Sequence, residues 1–242
     1  MKKLIILSIT FLSITFLSIL SAYGQKKVKG NGNMTTITRN TGDYNSISCA
    51  GSFDYVLVSG TEGHLTIEGE ENLMDYIITE VKGDKLVVKV KDFVSLRPSL
   101  KKGIKITIPF QDIASVALAG SGDLWTEDTI SSDAFETSLA GSGDIVLEVN
   151  AKHIKSNLSG SGDITLKGST DSLETRVSGS GDFHGFDLQS NNTEAYISGS
   201  GDIDVVSNSQ IKARVSGSGS VEYRGNPELK DTKVAGSGRI SG

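Results

Sequence analysis

Five aspartates recur at near-constant spacing in the carboxy-terminal half: Asp123, Asp144, Asp163, Asp182 and Asp202, each directly after a Gly-Ser-Gly triplet. If successive copies stack at the ~4.8 Å interval of neighbouring strands, the carboxylates form a column. Like charges at that distance repel by roughly 1 kcal/mol per pair in water, so something must offset them. One candidate is a ladder of Ca²⁺ ions held by hard oxygen ligands. The other is hydrogen bonding, each carboxylate accepting backbone N–H groups in its own turn, as Asp commonly does. The Gly-Gly-x-Gly-x-Asp nonapeptide of Ca²⁺-binding solenoids is absent and this repeat is twice as long. Hydrogen bonding is therefore the preferred account, calcium the alternative, and no other cofactor is expected.

Other chemistry-bearing residues are scattered. His64, His153 and His184 stand in unrelated contexts, His184 on an outward position and His153 in a segment that reads as a return loop. A carbohydrate-cleaving site needs two carboxyls at a set separation, but any regular column offers such pairs, so the column alone is no argument for it. No Gly-x-Ser-x-Gly elbow, phosphate-binding glycine loop or Cys/His cluster occurs. The single Cys49 reads as a small buried hydrophobe. No catalytic residue is expected.

The elements that must position the aspartates follow from the repeat. Gly-Ser-Gly begins at 120, 141, 160, 179, 199, 217 and 236, at spacings of 21, 19, 19, 20, 18 and 19 residues. These seven triplets hold 14 of the 28 glycines, so the glycine excess belongs to one device. Two residues before the first glycine stand Leu118, Leu139, Leu158, Val177, Ile197, Val215 and Val234. Four after it stand Leu124, Ile145, Ile164, Phe183, Ile203, Val221 and Ile240. Inward positions step by two on both sides of the triplet, which is strand and not helix periodicity. The pattern predicts an all-β fold, a single-stranded parallel β-helix or β-solenoid with turns of about 19 residues and Gly-Ser-Gly corners. Each turn would be strand, corner, strand and a looser return. A period this short excludes propeller blades, which need about 40 residues.

Outward rows accompany the inward ones. Glu136, Lys155, Glu174, Glu194, Lys212 and Asp231 alternate largely in sign. Arg176, Tyr196 and Arg214 would be stacked neighbours, a candidate surface-binding strip with cation–π contacts worth about 0.5–1 kcal/mol each.

Residues 1–24 read as a signal peptide: Lys2 and Lys3, an apolar run from Leu4 to Leu20, then Ala22-Tyr23-Gly24. Its removal takes the net charge from −5 to −7 (22 basic and 29 acidic residues), which excludes nucleic acid as a natural partner. Residues 25–112 read as an irregular β region leading into the solenoid of residues 113–242, the two forming one continuous domain. In the lead-in, Gly51-Ser52-Phe53-Asp54 is a degenerate corner, Lys82-Gly83-Asp84-Lys85 a hairpin turn, Gly103 to Pro109 an alternating strand, and Asn72 to Thr79 a short helix.

The order of these segments resembles a known family. Gly-Ser-Phe-Asp (51–54), Glu-Asn-Leu-x-x-Tyr-Ile (71–77), Gly-Asp-Lys-Leu (83–86) and serial Ser-Gly-Ser-Gly-Asp-Ile turns such as 159–164 are similar to the auto-transporter adhesin, head GIN domain family of Bacteroidota. The resemblance covers essentially the whole chain after the leader. It implies a β-helix, no recognised catalytic residues and a role in cell adhesion. The expectation is a non-catalytic exported protein of the cell envelope, in the periplasm, on the outer-membrane surface or outside, binding a surface polysaccharide or protein. A polysaccharide-binding or -cleaving β-helix is the alternative, and a purely structural envelope module a third reading. No transmembrane span is expected in residues 25–242.

Overall fold

A computed structural model describes residues 25–99 and 103–242; the expected signal peptide lies outside the described residues. The described residues are 69% strand and 3% helix, coiled into a parallel β-solenoid of about seven turns. Equivalent residues sit directly on one another: Val116 on Thr137, Ser156, Thr175, Ala195, Ala213 and Thr232, and the first corner glycines likewise. Because every turn repeats the same inward pattern, in-register stacking places like on like and builds one core from Phe53 and Tyr55 to Val221.

Both corner glycines sit where a Cβ would strike the backbone of the turn before, and the first carries a second constraint. The first of each triplet has φ between 127° and 144° from Gly236 to Gly141, a region closed to side chains by steric clash. The second does not, but a Cβ on Gly143, Gly162 or Gly181 would lie 1.9–2.0 Å from the carbonyl oxygen of the equivalent glycine one turn earlier. The backbones are packed too closely there for any side chain.

The return differs from expectation. In the middle of the coil, Ile145–Gly160 and Ile164–Gly179 are each one unbroken strand of 16 residues. The bend is made inside the strand, where Lys152-His153 and Asp171-Ser172 both face outward in succession and shift the alternation by one. His153 thus lies in a strand and pairs with Ser172, not in a loop.

In the lead-in, Ser46–Gly51 and Asp54–Ser59 pair in parallel with Ser115–Gly120 and Leu124–Thr126, so the degenerate corner is stacked as a turn of the coil, and on their other edge the same two strands pair in parallel with Lys85–Val90 and Lys105–Phe110. Antiparallel pairing is confined to this region. The hairpin Ile77–Lys82 with Lys85–Val90 turns at Gly83 as expected. Met34–Asn40 and Lys105–Phe110 flank His64–Glu70. The expected helix is a 3₁₀ helix, Glu71–Tyr76, shorter and earlier: the β-branched Ile77-Ile78-Thr79 run is taken by the hairpin. A separate two-stranded sheet joins Lys26–Lys29 to Val94–Arg97.

One inward column is polar. The hydroxyls of Thr137, Ser156 and Thr175 are fully buried on successive turns, and no described protein group bonds to them. An unpaired buried hydroxyl costs about 1–3 kcal/mol. Thr175→Val, which keeps the shape and removes the hydroxyl, is expected to stabilise the fold by roughly 1 kcal/mol, read as a rise in the urea midpoint at constant slope. A lower midpoint would mean that the hydroxyl is satisfied in solution.

Candidate functional site

The aspartate column is built by a change in hydrogen-bond direction at each corner. The N–H groups of Ser142 and Gly143 both donate back to Gly120 O, at 2.9 and 3.2 Å, whereas Leu124 N–H donates forward to Asp144 O at 2.8 Å. The N–H of each aspartate falls at the switch. It donates to the carboxylate of the aspartate one turn earlier: Asp144 to Asp123 (3.1 Å), Asp163 to Asp144 (2.9 Å), Asp182 to Asp163 (2.8 Å) and Asp202 to Asp182 (2.7 Å). The bonds therefore run between turns and not, as expected, within one.

The column is also longer than the five residues singled out. Asp123 N–H donates to Asp54, whose carboxyl is held above the usual carboxylate range by burial and then by the charge of Asp123. At the far end Ser220 N–H closes the series on Asp202 at 2.6 Å. One turn on, where serine has replaced aspartate, Arg239 N–H returns instead to Gly219 O at 3.3 Å.

His184 is not isolated. Its ring lies between turns, with Nε2 4.0 Å from Asp163 Oδ2 and Nδ1 3.6 Å from Asp204 Oδ2. Among the described residues, Asp163, Asp182 and His184 are where three metal-type ligand atoms converge, all within 4.8 Å of one another. A mixed imidazole and carboxylate set suits a divalent transition ion better than Ca²⁺, which takes all-oxygen sets.

A second feature runs lengthwise. The inward bend at each turn leaves a shallow groove of about 610 Å³ crossing six turns. Phe135, Ile154 and Leu173, each 2% exposed, form its floor. One rim carries Glu136, Lys155, Glu174 and Glu194, the other His153, Ser172 and Asn192. His153 Nδ1 and Ser172 Oγ are 2.7 Å apart, linking neighbouring turns along the second rim. Pairs such as Lys155–Glu136 (3.4 Å) and Lys212–Glu194 (3.2 Å) are exposed and contribute little to stability.

Beside the first rim lies the Arg176, Tyr196, Arg214 column, in register on three turns. Arg176 covers the Tyr196 ring at 4.3 Å. Arg214 points away, its guanidinium held by the Asp231 carboxylate and by Asp231 O at 2.8 Å, and Lys212 approaches the ring at 5.6 Å instead. Tyr196 also donates its hydroxyl to Glu194, which with Lys212 keeps that carboxyl below its ordinary range. The groove floor was readable as a continuation of the inward alternation, six residues before each first glycine. What no pattern shows is that the preceding bend opens it to the surface.

An in-register parallel solenoid with an open lengthwise groove belongs among the elongated β-helical proteins that present repeated surfaces. Residues 43–227 match the family described as "Putative auto-transporter adhesin, head GIN domain", and the chain belongs to that family. Among solved structures, it is similar to a "putative adhesin" from Bacteroides fragilis, with 25% identity, a TM-score of 0.81, and 88% of this chain and 99% of that one covered. A "Putative lipid binding protein" from Parabacteroides distasonis has 28% identity and a TM-score of 0.75, covering 89% and 99%. A "putative adhesin" from Parabacteroides merdae shares the fold at 20% identity and a TM-score of 0.69, covering 89% and 98%. Among curated proteins none matches the chain. No helix of the described residues is long and apolar enough to cross a membrane.

Proposed function

We propose that the protein is a non-catalytic, exported adhesin of the cell envelope that holds an extended polymer, a surface polysaccharide strand in the first instance, along the lengthwise groove. The observation that carries this is the groove itself: an apolar floor of Phe135, Ile154 and Leu173 between two polar rims, repeated at the stacking interval. A chain molecule laid along it meets the same contacts at each turn, so affinity accumulates over weak repeated sites with no single dominant residue. The family and the adhesin neighbours support the reading. The Arg176–Tyr196 pair beside the rim would extend the contact.

Ser172, half-buried on the rim, gives the test. Ser172→Trp fills the groove without touching the floor and is expected to lower retention on a binding polysaccharide by about tenfold or more, measured by affinity electrophoresis across a panel of envelope glycans. Retention unchanged by Ser172→Trp would remove the groove from the mechanism, and release of new sugar ends would make the protein an enzyme.

A second reading, an acyl chain in the same groove, is favoured by the apolar floor and by the neighbour described as lipid binding. Displacement of a fluorescent fatty acid by the glycan panel separates the two.

A further inference from the structure

Charge is distributed unevenly along the molecule. Residues 113–242 carry 10 basic and 18 acidic residues, whereas residues 25–112 carry 12 and 11. Much of that positive charge is concentrated on the small sheet of Lys26–Lys29 and Val94–Arg97. Register places Lys27 opposite Ser95 and Lys29 opposite Arg97. Val28 and Leu96 face the core, so Lys27, Lys29, Ser95 and Arg97 share the outward face. Lys26 and Lys91 flank it, both against the Tyr76 ring at 4.8 and 5.9 Å. Among the described residues Lys27, Lys29 and Arg97 make no ion pair; of the acids nearby, Asp92 is taken by Lys89 at 2.9 Å, and the Glu70 carboxylate, beside Gly30, accepts the N–H groups of Gly32 and Ser99.

At the edge of this basic face stands Phe93. It is 73% exposed, the most exposed large hydrophobic side chain among the described residues. It is also the one non-glycine residue with positive φ among them, at 62°. The turn is closed by Val94 N–H to Lys91 O at 3.2 Å and tied to the sheet by Lys26 N–H to Phe93 O at 2.8 Å. A glycine would sit there without strain. Instead the position holds a bulky aromatic ring that buries almost nothing within the fold. Two independent costs, strain and an exposed ring, thus coincide with a cluster of unpaired cations.

We propose that this face docks the protein onto an anionic lipid bilayer, the cations meeting headgroup phosphates and the Phe93 ring entering the interface. The complementarity is of the kind that holds peripheral proteins at membranes: basic residues attract the negative surface, and one inserted aromatic adds apolar contact. Phe93 directly precedes the strand that ends at Arg97, and that strand is only about 10 Å long, so both can meet one flat surface. The contact is separate from the groove and does not depend on the ligand proposed for it. It would leave the acidic solenoid, and the groove, projecting from the membrane.

Flotation of purified residues 25–242 with lipid vesicles tests this. Binding is expected to phosphatidylglycerol-rich vesicles and not to phosphatidylcholine alone, and to weaken as salt rises. The triple variant Lys27→Glu/Lys29→Glu/Arg97→Glu is expected to lose about tenfold or more in binding, and Phe93→Ser severalfold with the charge unchanged. Phe93→Gly separates function from folding, since it should match or exceed the parent in melting temperature while binding vesicles more weakly. Lys230→Glu/Lys233→Glu, on the last turn, should bind like the parent. Absence of binding to anionic vesicles, or binding indifferent to both the charge and the Phe93 variants, would overturn the proposal. So would equal competition by a soluble polyanion with Phe93→Ser without effect, which would indicate capture of a polyanionic polymer.

Discussion

Gly162→Ala is expected to destabilise the protein by about 3 kcal/mol or more, the upper end of the range for overpacking a tight interior. The added Cβ would lie 1.9 Å from Gly143 O and 2.9 Å from Gly143 C and Ser142 C. All three are backbone atoms of the turn beneath, so no rotamer change relieves the contact. The turns must separate, and separation stretches Gly162 N–H to Gly141 O, already 3.2 Å, together with the neighbouring bonds of the corner. Gly83→Ala is the comparison. That glycine has φ of 68° but nothing within 4 Å of a Cβ, so only conformational strain applies, about 1 kcal/mol. Urea titration of both variants measures the difference. Equal midpoints would mean that the corners are less closely stacked in solution.

The aspartate column yields the second large effect. Asp163 accepts Asp182 N–H at 2.8 Å and donates its own N–H to Asp144 at 2.9 Å. Asp163→Leu leaves the Asp182 N–H without its acceptor at the point where the backbone bonds change direction, at an expected cost of about 1–3 kcal/mol. Asp163→Asn keeps an oxygen in place and removes one charge from between two carboxylates. It is expected to stay within about 0.5 kcal/mol of the parent and to gain most at low salt, where repulsion along the column is least screened. Thermal melting in chelator and in millimolar Ca²⁺ separates this from the calcium alternative. A column held by metal would lose stability on Asp163→Asn and show a Ca²⁺-dependent melting temperature in the parent alone.

The difference between the two substitutions shows how far the repeat could be read. The Gly-Ser-Gly-Asp spacing identified the corner, and the inward Leu, Ile and Val positions identified strands that must stack, because one turn cannot bury its own apolar row. Which N–H each carboxylate serves could not be read. It depends on where the ladder changes from donating backward to donating forward, and that point exists only once two turns are paired. Asp54 shows the same limit. Its corner, Gly51-Ser52-Phe53-Asp54, has Phe53 where later copies have glycine. A Cβ on Gly122 would strike Phe53 O at 1.9 Å, but the triplet at Gly51 has no earlier corner beneath it. With no corner backbone packed against it from below, it tolerates a side chain, and Phe53 fills the core at 1% exposure.

Local chemistry alone determined the architecture of this protein: a period near 19 residues, glycines where backbones approach, and apolar residues at every second position make a parallel stack the arrangement that buries the apolar rows and pairs the backbone. Tertiary structure alone decided the sites. His184 meets Asp163 and Asp204 because separations of 21 and 20 residues in the chain become single steps between turns. Arg214 leaves Tyr196 because Asp231, 17 residues on, lies on the adjacent turn. Phe93 stands among Lys27, Lys29 and Arg97 because a pairing across more than 60 residues joins two short strands. Periodicity records which way a side chain faces; which other side chain it meets is set by the register between distant segments.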